Sequence, residues 1–251
     1  MKTLSYPERK IRNTIAIRLQ IENPLMKYPP LLFLLLFIFS GCSSAQINLR
    51  PYDEIKNEIL IRRNLFQSKY DQADSAGKTA LVKEAGKYIF QMITGEIYDA
   101  WYGTPWDFDG ITTIPGSGKI ACGYFVTTVL RDAGFQIPRV KWAQQASENI
   151  ILNMTTDVKR FRNRPVEEVI NYINQKGDGL YIVGLDLHVG FIYKSGNTIQ
   201  FVHSNYYNPD VGVMSQDLDC YNPLSNSSYR VVGKILGDEM MVNWIKGIKY
   251  N

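Results

Sequence analysis

Cys122 lies at the junction between a loop-forming stretch and a helical run, in Ile120-Ala-Cys-Gly-Tyr-Phe-Val126. The chain has only two histidines, and both follow it: His188 in Asp186-Leu-His-Val-Gly-Phe-Ile192 and His203 in Phe201-Val-His-Ser-Asn205. A thiol becomes a nucleophile when a base takes its proton, and the base works when a third group fixes its tautomer and orientation. One cysteine followed by two histidines supplies all three roles. At a helix start the first-turn N–H groups are unpaired and the dipole is positive, which stabilises a thiolate and offers donors to an oxyanion. A low-pKa thiolate beside an imidazolium is therefore expected at Cys122, and Gly123 should let the backbone approach a substrate closely. His188 is read as the base and His203 as the orienting group. Asn205, two residues on and on the same strand face, is the rival for that third position. The competing reading of Cys122 is a disulfide with Cys220.

The elements that must position these residues follow from hydrophobic spacing. Ile55, Ile59, Leu60 and Phe66 among charges predict an amphipathic helix over Asp53 to Tyr70. A second helix is expected from Lys78 to Tyr98, with Leu81, Ala85, Tyr88, Ile89 and Met92 on one face and Asp74-Ser-Ala-Gly77 as its cap. Gly103 to Gly118 reads as a loop, Cys122 to Ala133 as a helix stopped by Gly134, and Val166 to Gln175 as another helix. Beyond Gly177 the pattern becomes β: Leu180–Val183, His188–Tyr193, Thr198–His203 and Arg230–Leu236. In a hairpin centred between Ser195 and Gly196, residues whose numbers add to 391 face each other, so His188 should lie directly opposite His203. Helices first and strands later indicate an α+β fold.

The N-terminus reads as a targeting segment. Leu31 to Phe39 is an unbroken apolar run, shorter than the roughly 20 residues a spanning helix needs and suited to a signal peptide. Ser40-Gly-Cys-Ser-Ser44 follows at once, and this resembles the lipobox of bacterial lipoproteins, which implies lipidation of Cys42. The expected division is 1–41 as signal peptide, with Met26 as a candidate true start, 42–76 as lipidated tether and helix, and 77–251 as the domain that carries Cys122, His188 and His203. The net charge of +4 resides in residues 1–41, which carry six Lys/Arg and two Glu. The remainder is near neutral and lacks the basic face that nucleic acid requires, so no nucleic-acid partner is expected. Two histidines and no CxxC offer too few metal ligands, and no cofactor is implied. A monomer is expected.

Gly103-Thr-Pro-Trp106, Cys122-Gly123, Pro138-Arg139 with Gln144-Gln145, Gly177-Asp-Gly-Leu180, His188-Val-Gly190 and Val202-His203 occur in this order. The ordered set resembles the NlpC-type papain-like cysteine peptidases of bacterial cell walls, over roughly residues 78–236. The resemblance implies a papain-like core, with the cysteine helix packed on a central antiparallel sheet behind an N-terminal helical part. It further implies Cys122, His188 and His203 as catalytic residues, with Trp106 and Gly123 beside the substrate. The implied reaction is hydrolysis of amide bonds in peptidoglycan stem peptides through an acyl-enzyme, by a lipoprotein of the bacterial cell envelope. Three residues depart from the family pattern: Ala121 replaces an Asp that recognises a free amino terminus, Trp106 replaces Tyr and Gly123 replaces Ser. Asp107, Asp109 and Asp186 lie near the site in sequence and could replace part of the missing acid's role, but they read first as solvated loop carboxylates. An N-acetylmuramoyl amidase, a transglutaminase-like acyl transferase and a non-catalytic wall-peptide-binding lipoprotein are the alternative functions.

Overall fold

The computed structural model describes residues 50–251, so the signal segment, Met26 and Cys42 lie outside the described residues. Two long helices come first, Tyr52–Gln72 (α1) and Ser75–Met92 (α2), with the Asp74 side chain accepting a hydrogen bond from the Gly77 N–H at 2.8 Å as the cap of α2. α2 runs on through a π-helical turn, Ile93–Ile97, into the short α3, Tyr98–Trp101. The expected single helix is thus locally widened before it reaches Trp101. The buried stripe of α2 is Val82, Ala85, Ile89 and Met92, while the expected Leu81 and Tyr88 flank it half-buried. Leu60 of α1 is exposed, leaving Ile55, Ile59 and Phe66 as the inward residues.

The cysteine helix α4, Cys122–Asp132, is buried on nearly every side. It ends where Gly134 turns at φ +93°, against Trp244, whose Nε1–H donates to the Ala133 carbonyl at 2.7 Å. Short helices α5 (Arg139–Ala143) and α6 (Ser147–Leu152) lead to strand β1 (Val158–Arg162), followed by α7 (Val166–Lys176). Then come β2 (Gly179–Leu185), β3 (Val189–Ser195), β4 (Thr198–Ser204), β5 (Val213–Gln216), β6 (Tyr229–Ile235) and the last helix α8 (Asp238–Lys246). The strands form one sheet in the order β1-β6-β2-β3-β4-β5, and every neighbouring pair is antiparallel. The fold is α+β.

Strand alternation divides the core. Leu180, Ile182, Phe191 and Val202 face the side that holds α4, α1, α2 and α8, whereas Tyr181, Val183, Ile192 and Phe201 pack with Val169 and Ile173 of α7. The N-terminal helix is part of this arrangement. Ile55, Ile59 and Phe66 share the core of α4, and the Tyr52 hydroxyl donates to Asp132 at 2.9 Å while accepting from the Trp101 indole at 2.8 Å. α1 thereby fixes the far end of the cysteine helix. Among the described residues no helix is long and apolar enough to cross a membrane.

Because Ile59 is 1% exposed in that shared core, Ile59→Ala should lower the stability of the whole unit by about 2–5 kcal/mol. Urea unfolding followed in parallel by tryptophan fluorescence and far-UV circular dichroism checks this, and coincident, equally shifted transitions are the expected result.

Candidate active site

Cys122 occupies the first position of α4, preceded by Ala121 as an N-cap without a side-chain bond. The first intrahelical bond runs from the Phe125 N–H to the Ala121 carbonyl at 2.8 Å, so the amides of Cys122, Gly123 and Tyr124 precede the helix ladder. The chain entering the helix is pinned from three directions. The Ser204 hydroxyl on β4 donates to the Ile120 carbonyl at 2.7 Å, the Ile120 N–H to Pro105 at 2.9 Å, and the Ala121 N–H to Gly110 at 2.8 Å. Strand β4, which carries His203, therefore also sets the position of the thiol.

The two histidines meet, by a route different from the one expected. Strand partners in the β3–β4 hairpin have numbers that add to 393, as in Phe191 with Val202 and Ser195 with Thr198. The turn is the two-residue Gly196-Asn197, with Gly196 at φ +57°, where a II′ turn uses glycine. His188 and His203 are diagonal neighbours rather than opposite, and His188 sits just before β3, where its carbonyl closes the Asp186-Leu187 turn by accepting from the Leu185 N–H at 2.8 Å. They touch because this register places Gly190 next to His203. A Cβ on Gly190 would fall 2.9 Å from the His203 Cβ and 2.7 Å from the Phe201 ring, and its absence lets the imidazoles close up. His188 Nε2 and His203 Nδ1 are 2.9 Å apart, and His203 Nε2 is 3.0 Å from Gln216 Oε1. Phe201 stacks on the His203 ring at 4.1 Å and 14°.

The hydrogen-bond chain assigns the tautomers. The Gln216 carbonyl oxygen accepts from His203 Nε2–H, His203 Nδ1 accepts from His188 Nε2–H, and His188 Nδ1 keeps a lone pair. That nitrogen is buried without a partner, and His188 and Cys122 line the same cleft. Asn205 is engaged elsewhere: its Oδ1 accepts from the Tyr207 N–H at 2.9 Å and its amide contacts the Met214 sulfur. The residue in contact with His188 is His203, not Asn205. Cys122 and Cys220 are both free thiols, half-buried and exposed respectively.

The charge state differs from the expected ion pair. Burial pushes the Cys122 thiol up, and nearby amides of Val189, Gly123 and Cys122 itself only partly offset this. Burial, with the neighbouring His203 second, holds His188 well below the usual imidazole range. His203 is lowered to about 4, mainly by burial and against the Gln216 bond. At neutral pH the thiol and both imidazoles are therefore uncharged; for Cys122, desolvation outweighs the helix start.

The cleft has two lobes meeting at Cys122, Gly123 and His188. The larger, about 740 Å³, is walled by Trp106, Phe108, Ile111, Tyr124, Leu187 and Tyr206, among others. The smaller, about 210 Å³, is bounded by Ala146, Ser147 and the Leu185–Val189 turn. Trp106 stands in the wall as expected, held by its N–H to Pro209 at 2.8 Å, and its buried indole N–H has no partner. Gly123 lines both lobes, yet its missing side chain answers an internal need, because a Cβ there would overlap the Ala143 carbonyl oxygen. Of the three acids, Asp107 pairs with Lys119 at 3.0 Å and Asp186 accepts from Ser227, Ser228 and Tyr229. Asp109 alone borders the larger lobe.

Two residues enter the site that the sequence reading does not name. Gln216 ends the imidazole chain from the short strand β5, which carries no periodic signal of its own. Tyr206, whose ring lies 5.2 Å from His188, has its hydroxyl raised to about 12 mainly by burial and so stays protonated. Its position in Asn205-Tyr-Tyr207 directly after the His203 strand is the only trace it leaves in sequence. Comparison with protein-family models, curated proteins and solved structures returns no match to this chain.

The depressed imidazoles link stability to pH. A histidine lowered on folding binds its proton more readily in the unfolded chain, so its contribution is complete above the unfolded value near 6.5 and is lost as pH falls toward about 4. Urea midpoints measured at pH 7 and pH 5 should fall with acid in the wild type, and fall less in a His188→Asn/His203→Asn variant.

Proposed function

We propose that this protein is a cysteine-dependent amide hydrolase that works through an acyl-enzyme. The observation that carries this reading is the buried chain Gln216–His203–His188, which leaves one acceptor nitrogen, His188 Nδ1, without a partner on a residue that lines the same cleft as Cys122. A neutral imidazole of fixed tautomer beside a neutral thiol is the arrangement for general-base activation. His188 Nδ1 takes the thiol proton as Sγ bonds to the substrate carbonyl carbon, and the resulting oxyanion is held by the free amides at the start of α4. Collapse breaks the C–N bond, and the leaving amine takes the proton from His188. Water, deprotonated by the same nitrogen, then cleaves the thioester and restores the thiol. His203 holds the tautomer of His188 and spreads the charge of the transient imidazolium, while Gln216 holds His203.

The reading extends to peptides of the bacterial wall, in keeping with the ordered motifs around Trp106, Cys122 and His188 and the papain-like architecture they imply. A cysteine helix against an antiparallel sheet is compatible with it. The same reading places the protein in the cell envelope, anchored through Cys42.

Cys122→Ala and His188→Ala should each abolish release of fragments from purified sacculi, detected by mass spectrometry, with Cys122→Ala leaving thermal stability unchanged. His203→Asn should keep measurable turnover, since an amide can hold a tautomer but not accept the proton. Full activity in Cys122→Ala would remove the hydrolase reading. The anchor has its own test: wild-type protein should partition into detergent, whereas Cys42→Ala should yield a soluble or unprocessed form, because stable anchoring needs more than one acyl chain. Wild-type protein found wholly in the aqueous phase would rule the anchor out.

A further inference from the structure

The cleft wall carries a set of exposed apolar side chains that catalysis does not use. Phe108 is 79% exposed, Ile111 59% and Leu187 86%, and all three line the larger lobe beside Cys122 and His188. They come from separate segments, the Gly103–Gly118 loop and the turn between β2 and β3. Isolated surface leucines are ordinary, but apolar residues gathered at the mouth of a concave site mark a surface that a ligand covers. The wall is also preformed. The Arg139 guanidinium donates to the carbonyls of Ile111 and Thr112, both at 3.0 Å, and to Thr128 of α4 at 2.6 Å, so the loop is tied to the cysteine helix. The same ties occupy Arg139, and the nearby Lys119 is paired with Asp107 at 3.0 Å. No Lys or Arg lines the lobe, and Asp109 is its single carboxylate among the described residues. An acidic substrate group would find no counter-charge here, whereas an uncharged apolar group would remove Phe108, Ile111 and Leu187 from water at no electrostatic cost.

We propose that the larger lobe selects an uncharged apolar group, an aliphatic or aromatic side chain or an acyl chain, carried next to the scissile amide. This specificity rests on the hydrolase reading above. It also accounts for Ala121: with no acid beside the nucleophile, the substrate needs no free amino terminus there. Among wall or other peptides, those bearing acidic residues next to the cleaved bond are disfavoured.

The test uses the full-length protein and two series of internally quenched peptides, varying the residue on either side of the scissile bond among Leu, Phe, Ala, Glu and Lys. In one series kcat/KM for Leu or Phe should exceed that for Glu by at least about tenfold, the scale set by apolar pocket contacts. Phe108→Ser and Leu187→Ser should each shrink that ratio, and both positions are exposed enough for melting curves to show an intact fold. An octanoyl amide cleaved as fast as the Leu peptide would place the ligand among acyl chains, and an inert one among side chains; either supports the proposal. A flat profile in both series, or a preference for Glu or Lys, would overturn it and leave the hydrolase reading in place. Absence of Cys122-dependent cleavage of every substrate would count against the hydrolase reading instead. Calorimetric binding of N-octanoyl-leucinamide against N-acetyl-glutamate amide to Cys122→Ala protein then decides the specificity alone: at least about tenfold tighter binding of the former, weakened by Leu187→Ser, supports it, and equal affinity overturns it.

Discussion

One hydrogen bond in a dry place organises this site: the contact between His188 Nε2 and His203 Nδ1 at 2.9 Å, with both rings buried. Two imidazoles can share such a bond only if one donates and the other accepts, and burial makes a second proton on either ring costly. The neighbours are arranged around that requirement. Gly190 clears the space, Phe201 stacks behind His203, and Gln216 accepts the remaining N–H. Ser204, next to His203, ties the same strand to the residue two before the cysteine. A shift of β4 would move the His203 ring and Cys122 together.

The frame of the site could be read from sequence because its elements bury one face and carry strong local signals. α1, α2, α4 and α7 show helical spacing, with Asp74 as a start and Gly134 as a stop, and the segments bearing the histidines flank an obvious Gly-Asn turn. The register was less legible. Placing the hairpin centre one residue too early moves each strand partner by two, which keeps parity, so His188 and His203 stay on one face while becoming diagonal instead of opposite. Contact survives through the absent side chain of Gly190, a packing fact with no signature at the level of spacing.

What stayed hidden depends on pairing with distant chain. β1, Val158-Lys-Arg-Phe-Arg162, is mostly charged and exists as an edge strand through its partner β6. β5 is four residues long and is held by β4 and by the loop that carries Trp106, so Gln216 could not be assigned a role from its surroundings in sequence. The protonation state was hidden for a related reason. A helix start predicts an acidified thiol, but how deeply a half-buried sulfur lies between α4 and the β2–β3 turn is a tertiary quantity, and desolvation prevails.

The amide at the end of the imidazole chain has a chemical consequence beyond orientation. A carboxylate in the place of Gln216 would draw a proton onto the pair and favour a standing thiolate; a neutral amide does not. Susceptibility of cysteine to peroxides and to sulfenic acid formation follows thiolate character and access. A sulfur that stays protonated is therefore poorly oxidised. By holding the imidazole pair neutral, Gln216 thus also shields the Cys122 sulfur from oxidants that a standing thiolate would meet.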